Sequence, residues 1–290
     1  MTRRELMMSA GLAPVAMAGT PDLLASARGG RPLVEFDIVD AHGHIQEVDR
    51  DAVWPRASAD LVAAMDRCGI GQCVFSHLSA IMAVTLAELR AAHDESERAV
   101  ERHPGRLRAY AVFPPNLGPA ALREVERALE SPAFAGVKMH GPIHEYSSLG
   151  PAYRDAYRLA ASRGVPVLLH AREGAEATKS IAAVANETPG LKLLLAHMWP
   201  GARHVPDLLR LAPNLYVDTC ATAAGFRMTG RLLEEAPQDR IVFGTDATYL
   251  DPGGQVGKLA FADAPESVKR RVFGTNARVL FGKRLPERRP

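Results

Sequence analysis

The chain has 290 residues, 47% of them hydrophobic and 23% charged, with 35 basic against 33 acidic side chains and a net charge of +2. This composition describes a globular protein with ample core and leaves no charge surplus to hold a nucleic acid or an anionic membrane. Three cysteines, Cys68, Cys73 and Cys220, form no Cys-x-x-Cys pair and no disulfide framework, so they read as small buried hydrophobes, and the ten histidines are the more informative count.

Residues 1–28 have the pattern of an export signal. Arg3-Arg4 precede a weakly apolar, Gly- and Ala-rich run from Ser9 to Gly19, and Ala25-Ser26-Ala27 offers a small-x-small cleavage site. The paired arginines predict a twin-arginine-type signal and a periplasmic or extracellular protein; a cytoplasmic protein with an N-terminal extension is the alternative. Pro14 interrupts the apolar run, which is too short for stable membrane insertion.

From residue 31 to 285 the chain reads as a single domain. Apolar runs near 34–40, 72–75, 107–113, 135–139, 165–169, 191–196, 214–218 and 240–244 alternate with segments of helical spacing at 60–68, 86–103, 120–129, 153–163, 175–185, 205–211, 230–235 and from Pro265 onward. Eight strands, each followed by a helix, predict an α/β fold closed as a (β/α)8 TIM-type barrel, which takes about 250 residues. Turn signals such as His103-Pro104-Gly105 and Thr188-Pro189-Gly190 punctuate the helix-to-strand junctions.

Such barrels gather functional side chains where strands end. The first run leads into Asp40-Ala41-His42-Gly43-His44, and strand alternation puts Asp40, His42 and His44 on one face. Later runs end in Lys138-Met139-His140, His170-Ala171-Arg172, His197 and Asp246. His42, His44 and His170, with Asp246, make a donor set for one divalent metal ion, zinc by preference, with a position left open for water. Asp246 or His197 then serves as the proton-transfer group. Lys138 and His140 share a face, as do His170 and Arg172; Lys138, His140 and Arg172 are therefore expected to meet the substrate, the cations anchoring a carboxylate. Asp40, deeper in the strand, reads as a supporting carboxylate. Tyr146, Trp199 and His77 are placed near the mouth, His93 on a solvated helix face, and His103, His144 and His204 receive no role.

The strand-end constellation, with Gly136-Val137-Lys138-Met139-His140, Ile241-Val242-Phe243-Gly244-Thr245-Asp246 and the closing Gly274-Thr275-Asn276-Ala277, resembles the amidohydrolase superfamily over Val34 to Gly282. The branch it resembles is the amidohydrolase-related one, which includes aminocarboxymuconate-semialdehyde decarboxylase and several lactonases. The resemblance implies metal binding by His42, His44, His170 and Asp246, and a catalytic His197 beside them. In binuclear relatives His197 would instead hold a second ion, bridged to the first by a carboxylated Lys138; one ion needs no such modification and is favoured. The expected activity is hydrolysis of a lactone, ester or amide of a small molecule. The alternative is non-oxidative decarboxylation of an unsaturated or aromatic acid, and a barrel without catalysis is disfavoured because both proton-transfer groups are present. A homo-oligomer is compatible with this reading, and substrate identity rests in loop geometry.

Overall fold

Eight runs of mostly β-branched and aliphatic residues pair side by side in a computed structural model that describes residues 22–29, 33, 35–46, 56–201, 203–220 and 227–287. The strands are β1 (Ile38–Ile45), β2 (Ile70–His77), β3 (Leu107–Val112), β4 (Phe134–His140), β5 (Val167–His170), β6 (Leu193–Leu195), β7 (Leu215–Asp218) and β8 (Ile241–Val242). They form one sheet in sequence order, every pair parallel. β1 and β8 meet through Ala41 N donating to Phe243 O at 2.9 Å and Asp246 N to His42 O at 2.7 Å. Asp40 ties the same seam: its Oδ1 accepts from Thr245 N at 2.9 Å and its Oδ2 from Thr245 Oγ1 at 2.5 Å. Burial outweighs these bonds and pushes the Asp40 carboxyl up to about 7.

The core has two layers. Val39, Val74, Tyr110, Leu168, Leu194 and Val242 give one residue from each of six strands and are capped by Leu280 and Phe281 of the helix Asn276–Phe281. An eight-stranded barrel is just wide enough to be filled this way. The opposite strand face packs on the surrounding helices. The helix Leu86–Arg102 shows why these form: a Thr85–Glu88 capping box starts it, Leu89, Ala92, Ser96, Ala99 and Val100 fall on one buried stripe, and it stops at His103 before Pro104-Gly105.

The (β/α)8 barrel matches the expectation; three details differ. β1 starts later than the run from Val34 suggested and continues to Ile45, because Gly43 and His44 pair with Phe75 and Ser76 of β2. His42 and His44 therefore lie within a strand. β8 has only two residues, since Gly244 and Thr245 leave the ladder to deliver Asp246. His93 is not on a solvated face: it is 1% exposed, its Nδ1 3.2 Å from Glu124 Oε1 on the neighbouring helix Gly118–Ala128. Ala25-Ser26-Ala27, at the end of the expected signal segment, lies in a helix Asp22–Arg28, with Ser26 Oγ donating to Glu35 Oε1 at 2.9 Å. Residues 1–21 of the expected signal lie outside the described residues. Among the described residues, no helix is long and apolar enough to cross a membrane.

Candidate metal centre

β1 sets two imidazoles side by side, and their outer partners fix which nitrogen each presents. His42 Nδ1 is 2.8 Å from Asp218 Oδ2 at the end of β7, both side chains fully buried. A carboxylate accepts only, so Nδ1 carries the proton and Nε2 offers its lone pair. That Nε2 lies 3.5 Å from Asp246 Oδ1. His44 Nδ1 is 2.9 Å from Ser76 Oγ on β2, and its Nε2 is 3.0 Å from the same Asp246 oxygen. Two imidazoles thus converge on one carboxylate oxygen, each braced from behind, as metal-binding histidines are.

Protonation fits this use. Burial drives both imidazoles below their ordinary range, with the Lys138 charge adding to the effect. Burial, the largest single influence, pushes Asp246 up, but the His44 hydrogen bond and the neighbouring His42, His44 and His197 together outweigh it and hold the carboxyl well below the usual range. An ionised carboxylate facing neutral imidazoles is a donor set lacking its cation. The residues present therefore fit a divalent ion.

The remaining groups come from neighbouring strand ends. Lys138, fully buried on β4, places Nζ 3.2 Å from His42 Nε2, and burial lowers its amine to about 8. His170 ends β5, with Nδ1 3.3 Å from His197 Nε2; burial and Lys138 lower it to about 3. His197 follows β6 in a turn, its backbone N donating to Asp218 Oδ1 at 2.8 Å and its Nδ1 3.9 Å from Asp246 Oδ2. The His140 ring stands 4.3 Å from that of His170, and its Nδ1 accepts from Ile143 N at 3.1 Å. These groups open on a chamber of about 550 Å³. Its polar side is His44, Lys138, His140, His170, His197 and Asp246; its apolar side is Leu78, Ile81, Ile143, Leu250 and the Tyr249 ring.

Seven of the eight expected residues are thus brought together, His42 lying directly beneath the chamber. Arg172 is not among its lining: its side chain is exposed, with backbone N donating to Ser148 Oγ at 3.3 Å. Of the residues placed near the mouth, none lines the chamber. His77 is buried with Nε2 3.3 Å from Glu95 Oε2, Trp199 Nε1 donates to Glu173 O at 2.7 Å, and Tyr146 stacks on Tyr153 with ring centroids 5.2 Å apart. Sequence reasoning passed over Asp218, Ser76 and Cys220. Asp218 was legible by the rule that found Asp246, being a carboxylate that ends an apolar strand. Cys220 is buried as expected, and also lies 3.3 Å from His42 Nδ1.

A closed eight-stranded barrel with imidazoles and a carboxylate at its strand ends defines a metal-dependent (β/α)8 enzyme. A family model described as amidohydrolase matches residues 39–283, and the chain belongs to that family, in the branch expected from the strand-end motifs. Solved structures agree in fold. A 2,6-dihydroxybenzoate decarboxylase from Rhizobium superposes with a TM-score of 0.69 at 19% identity, covering 85% of this chain and 98% of its own. A dihydroxybenzoic acid decarboxylase from Polaromonas, solved with manganese and 2-nitroresorcinol, gives 0.67 at 18% identity, with 85% and 97% covered. A 5-carboxyvanillate decarboxylase from Novosphingobium aromaticivorans, solved with manganese and a nitrobenzoic acid, gives 0.69 at 15%, with 87% and 98% covered. No curated protein matches the chain significantly in sequence.

Proposed function

We propose that this protein is a metal-dependent, non-oxidative decarboxylase of an aromatic or unsaturated carboxylic acid. One observation carries the reading: the chamber sets Lys138, His140, His170 and His197 around a single carboxylate, opposite an apolar wall of Leu78, Ile81, Ile143 and Tyr249. A flat acid fits such a cleft with its charged edge among the donors and its ring against the wall. The fold-level likeness to benzoate decarboxylases supports the same choice, whereas nothing in the chamber favours the hydrolysis expected from sequence.

His42, His44, His170 and Asp246 would hold one divalent ion. Zinc binds such nitrogen-rich sets more tightly than manganese, the ion found in two of the neighbours. When bound, the ion supplies positive charge that fixes the substrate's anionic oxygens. Lys138, with its amine near 8, adds a second positive charge at neutral pH. Asp246 is ionised at rest, so a solvent proton passed through His197 first reaches its Oδ2, the oxygen turned from His44 towards His197, and Oδ2 delivers that proton to the carbon bearing the carboxylate. The carbon–carbon bond then breaks, its electron pair returns to the ring, and carbon dioxide leaves. His197 Nδ1, 3.9 Å from Oδ2, is then reprotonated from solvent, so that one solvent proton is consumed per carbon dioxide released.

The test is incubation of metal-loaded protein with hydroxybenzoates, unsaturated acids and lactones while recording carbon dioxide and acid together. Carbon dioxide release from a carboxylic acid is the expected result. Acid production from lactones without carbon dioxide would return the protein to the hydrolases.

A further inference from the structure

Behind the chamber lies a donor group that the reaction above does not use. Cys220, two residues past β7, is fully buried. Its Sγ is 3.3 Å from His42 Nδ1, 3.4 Å from His197 Nδ1 and 3.1 Å from Asp218 Oδ1. Ligand atoms of Cys220, His42 and His197 all fall within 4.8 Å of one another. In a tetrahedral site with metal–nitrogen bonds near 2.0 Å and a metal–sulfur bond near 2.3 Å, each sulfur–nitrogen edge measures roughly 3.5 Å. The two sulfur–nitrogen separations here are within about 0.2 Å of that edge. A thiol serving only to donate to Asp218 would need neither imidazole beside it. His197, a quarter exposed and lining the chamber, gives an ion its way in.

We propose that Cys220, His42 and His197, bordered by Asp218, form a second metal position that takes soft divalent ions and excludes the first. Exclusion follows from His42. A neutral imidazole has one lone pair, offered through Nε2 to the chamber ion or through Nδ1 to this one. Binding here moves the His42 proton from Nδ1 to Nε2, frees Asp218 Oδ2 from its donor, and expels the Cys220 thiol proton to solvent as the sulfur–metal bond forms. Asp218 keeps the His197 backbone donor on Oδ1 while Oδ2, released by His42, becomes free to serve as a fourth ligand. The position stands on its own geometry, independent of the decarboxylase reading.

Cadmium is the probe, since thiolate ligands select soft ions. Cys68 is half-buried and is first replaced, so the protein titrated is metal-stripped Cys68→Ser. The expected result is an ultraviolet thiolate-to-cadmium absorption that rises with added ion, releases one proton per sulfur–metal bond, and vanishes in Cys68→Ser/Cys220→Ser. Absence of the band in Cys68→Ser overturns the proposal, as does its survival in the double variant. If the double variant does not fold, cadmium-edge X-ray absorption of Cys68→Ser decides: a shell of one sulfur with nitrogens supports the site, and a shell of nitrogen and oxygen alone overturns it. Each readout is a bond to sulfur, so failure here and failure of the decarboxylase assay are separate outcomes.

Discussion

Two buried carboxylates of this protein sit beside histidines, and only one of them is at peace with its surroundings. Glu124, on the outer helix Gly118–Ala128, has a side chain 1% exposed and accepts from His93 Nδ1 at 3.2 Å, Arg90 Nε at 3.2 Å and Arg127 Nη2 at 2.7 Å. His93 in turn accepts from Val112 N at 3.0 Å, so every polar atom closes within the chain. Burial would raise Glu124, but His93 and Arg127 outweigh it and hold the carboxyl at about 2. Among the described residues, Asp246 pairs with no arginine. The lysine that interacts with it, Lys138, spends its contact on His42 Nε2. A carboxylate neutralised by the chain's own guanidinium groups is structural; one left among lone pairs is built to receive a cation from outside.

Four substitutions sharpen this contrast. Asp246→Asn should lower the rate of carbon dioxide release roughly 10³-fold while the circular-dichroism spectrum stays native; a fall of less than about tenfold would move the reactive proton elsewhere. Asp218→Asn, which replaces the charged carboxylate behind His42 with a neutral amide holding only one acceptor oxygen, should weaken metal affinity roughly 10- to 100-fold in competition with a chelator. Unchanged affinity would mean that His42 needs no brace. Glu124→Gln should cost about 2 kcal/mol of stability at neutral pH, read from the denaturation midpoint.

The pH dependence of that last variant has a definite sign. Glu124 has its folded pKa depressed from 4.5 to about 2, so its contribution is whole above about 4.5 and is lost as pH falls towards 2. Wild type and variant should converge in stability across that window; a gap persisting at its acid end would show that the carboxyl is not ionised in the folded protein. The smallest effect belongs to Arg172→Ala, expected to change stability by less than about 0.5 kcal/mol and to leave KM nearly as it was. A large rise in KM would put Arg172 in the substrate's path.

The barrel was legible because two periodicities alternate so regularly along the chain, and the chamber because polar residues interrupt strands that are otherwise apolar. Lys138 and His140 both line it as alternation predicts, since both belong to β4. Arg172 shows where the rule stops: β5 ends at His170, and two residues later the chain no longer has a strand's period. His93 was misplaced for a different reason. Its helix is rich in charge, and only the packing of Glu124 against it turns one charged stripe into an interior one. Cys220 shares that lesson, because its neighbours His42 and His197 are distant in sequence and meet it through barrel closure.

His197, Met198 and Asp246 hold left-handed backbone, with φ of 62°, 52° and 58°. For residues carrying a Cβ this conformation costs roughly 1–2 kcal/mol each, and here it brings the side chains of His197 and Asp246, the proposed proton-transfer pair, within 3.9 Å of one another. Evolution of this protein therefore faces a conflict between durability and turnover: glycine at 197 or 246 would relax the backbone while erasing the chemistry. Selection for heat resistance alone would be expected to erode these positions first.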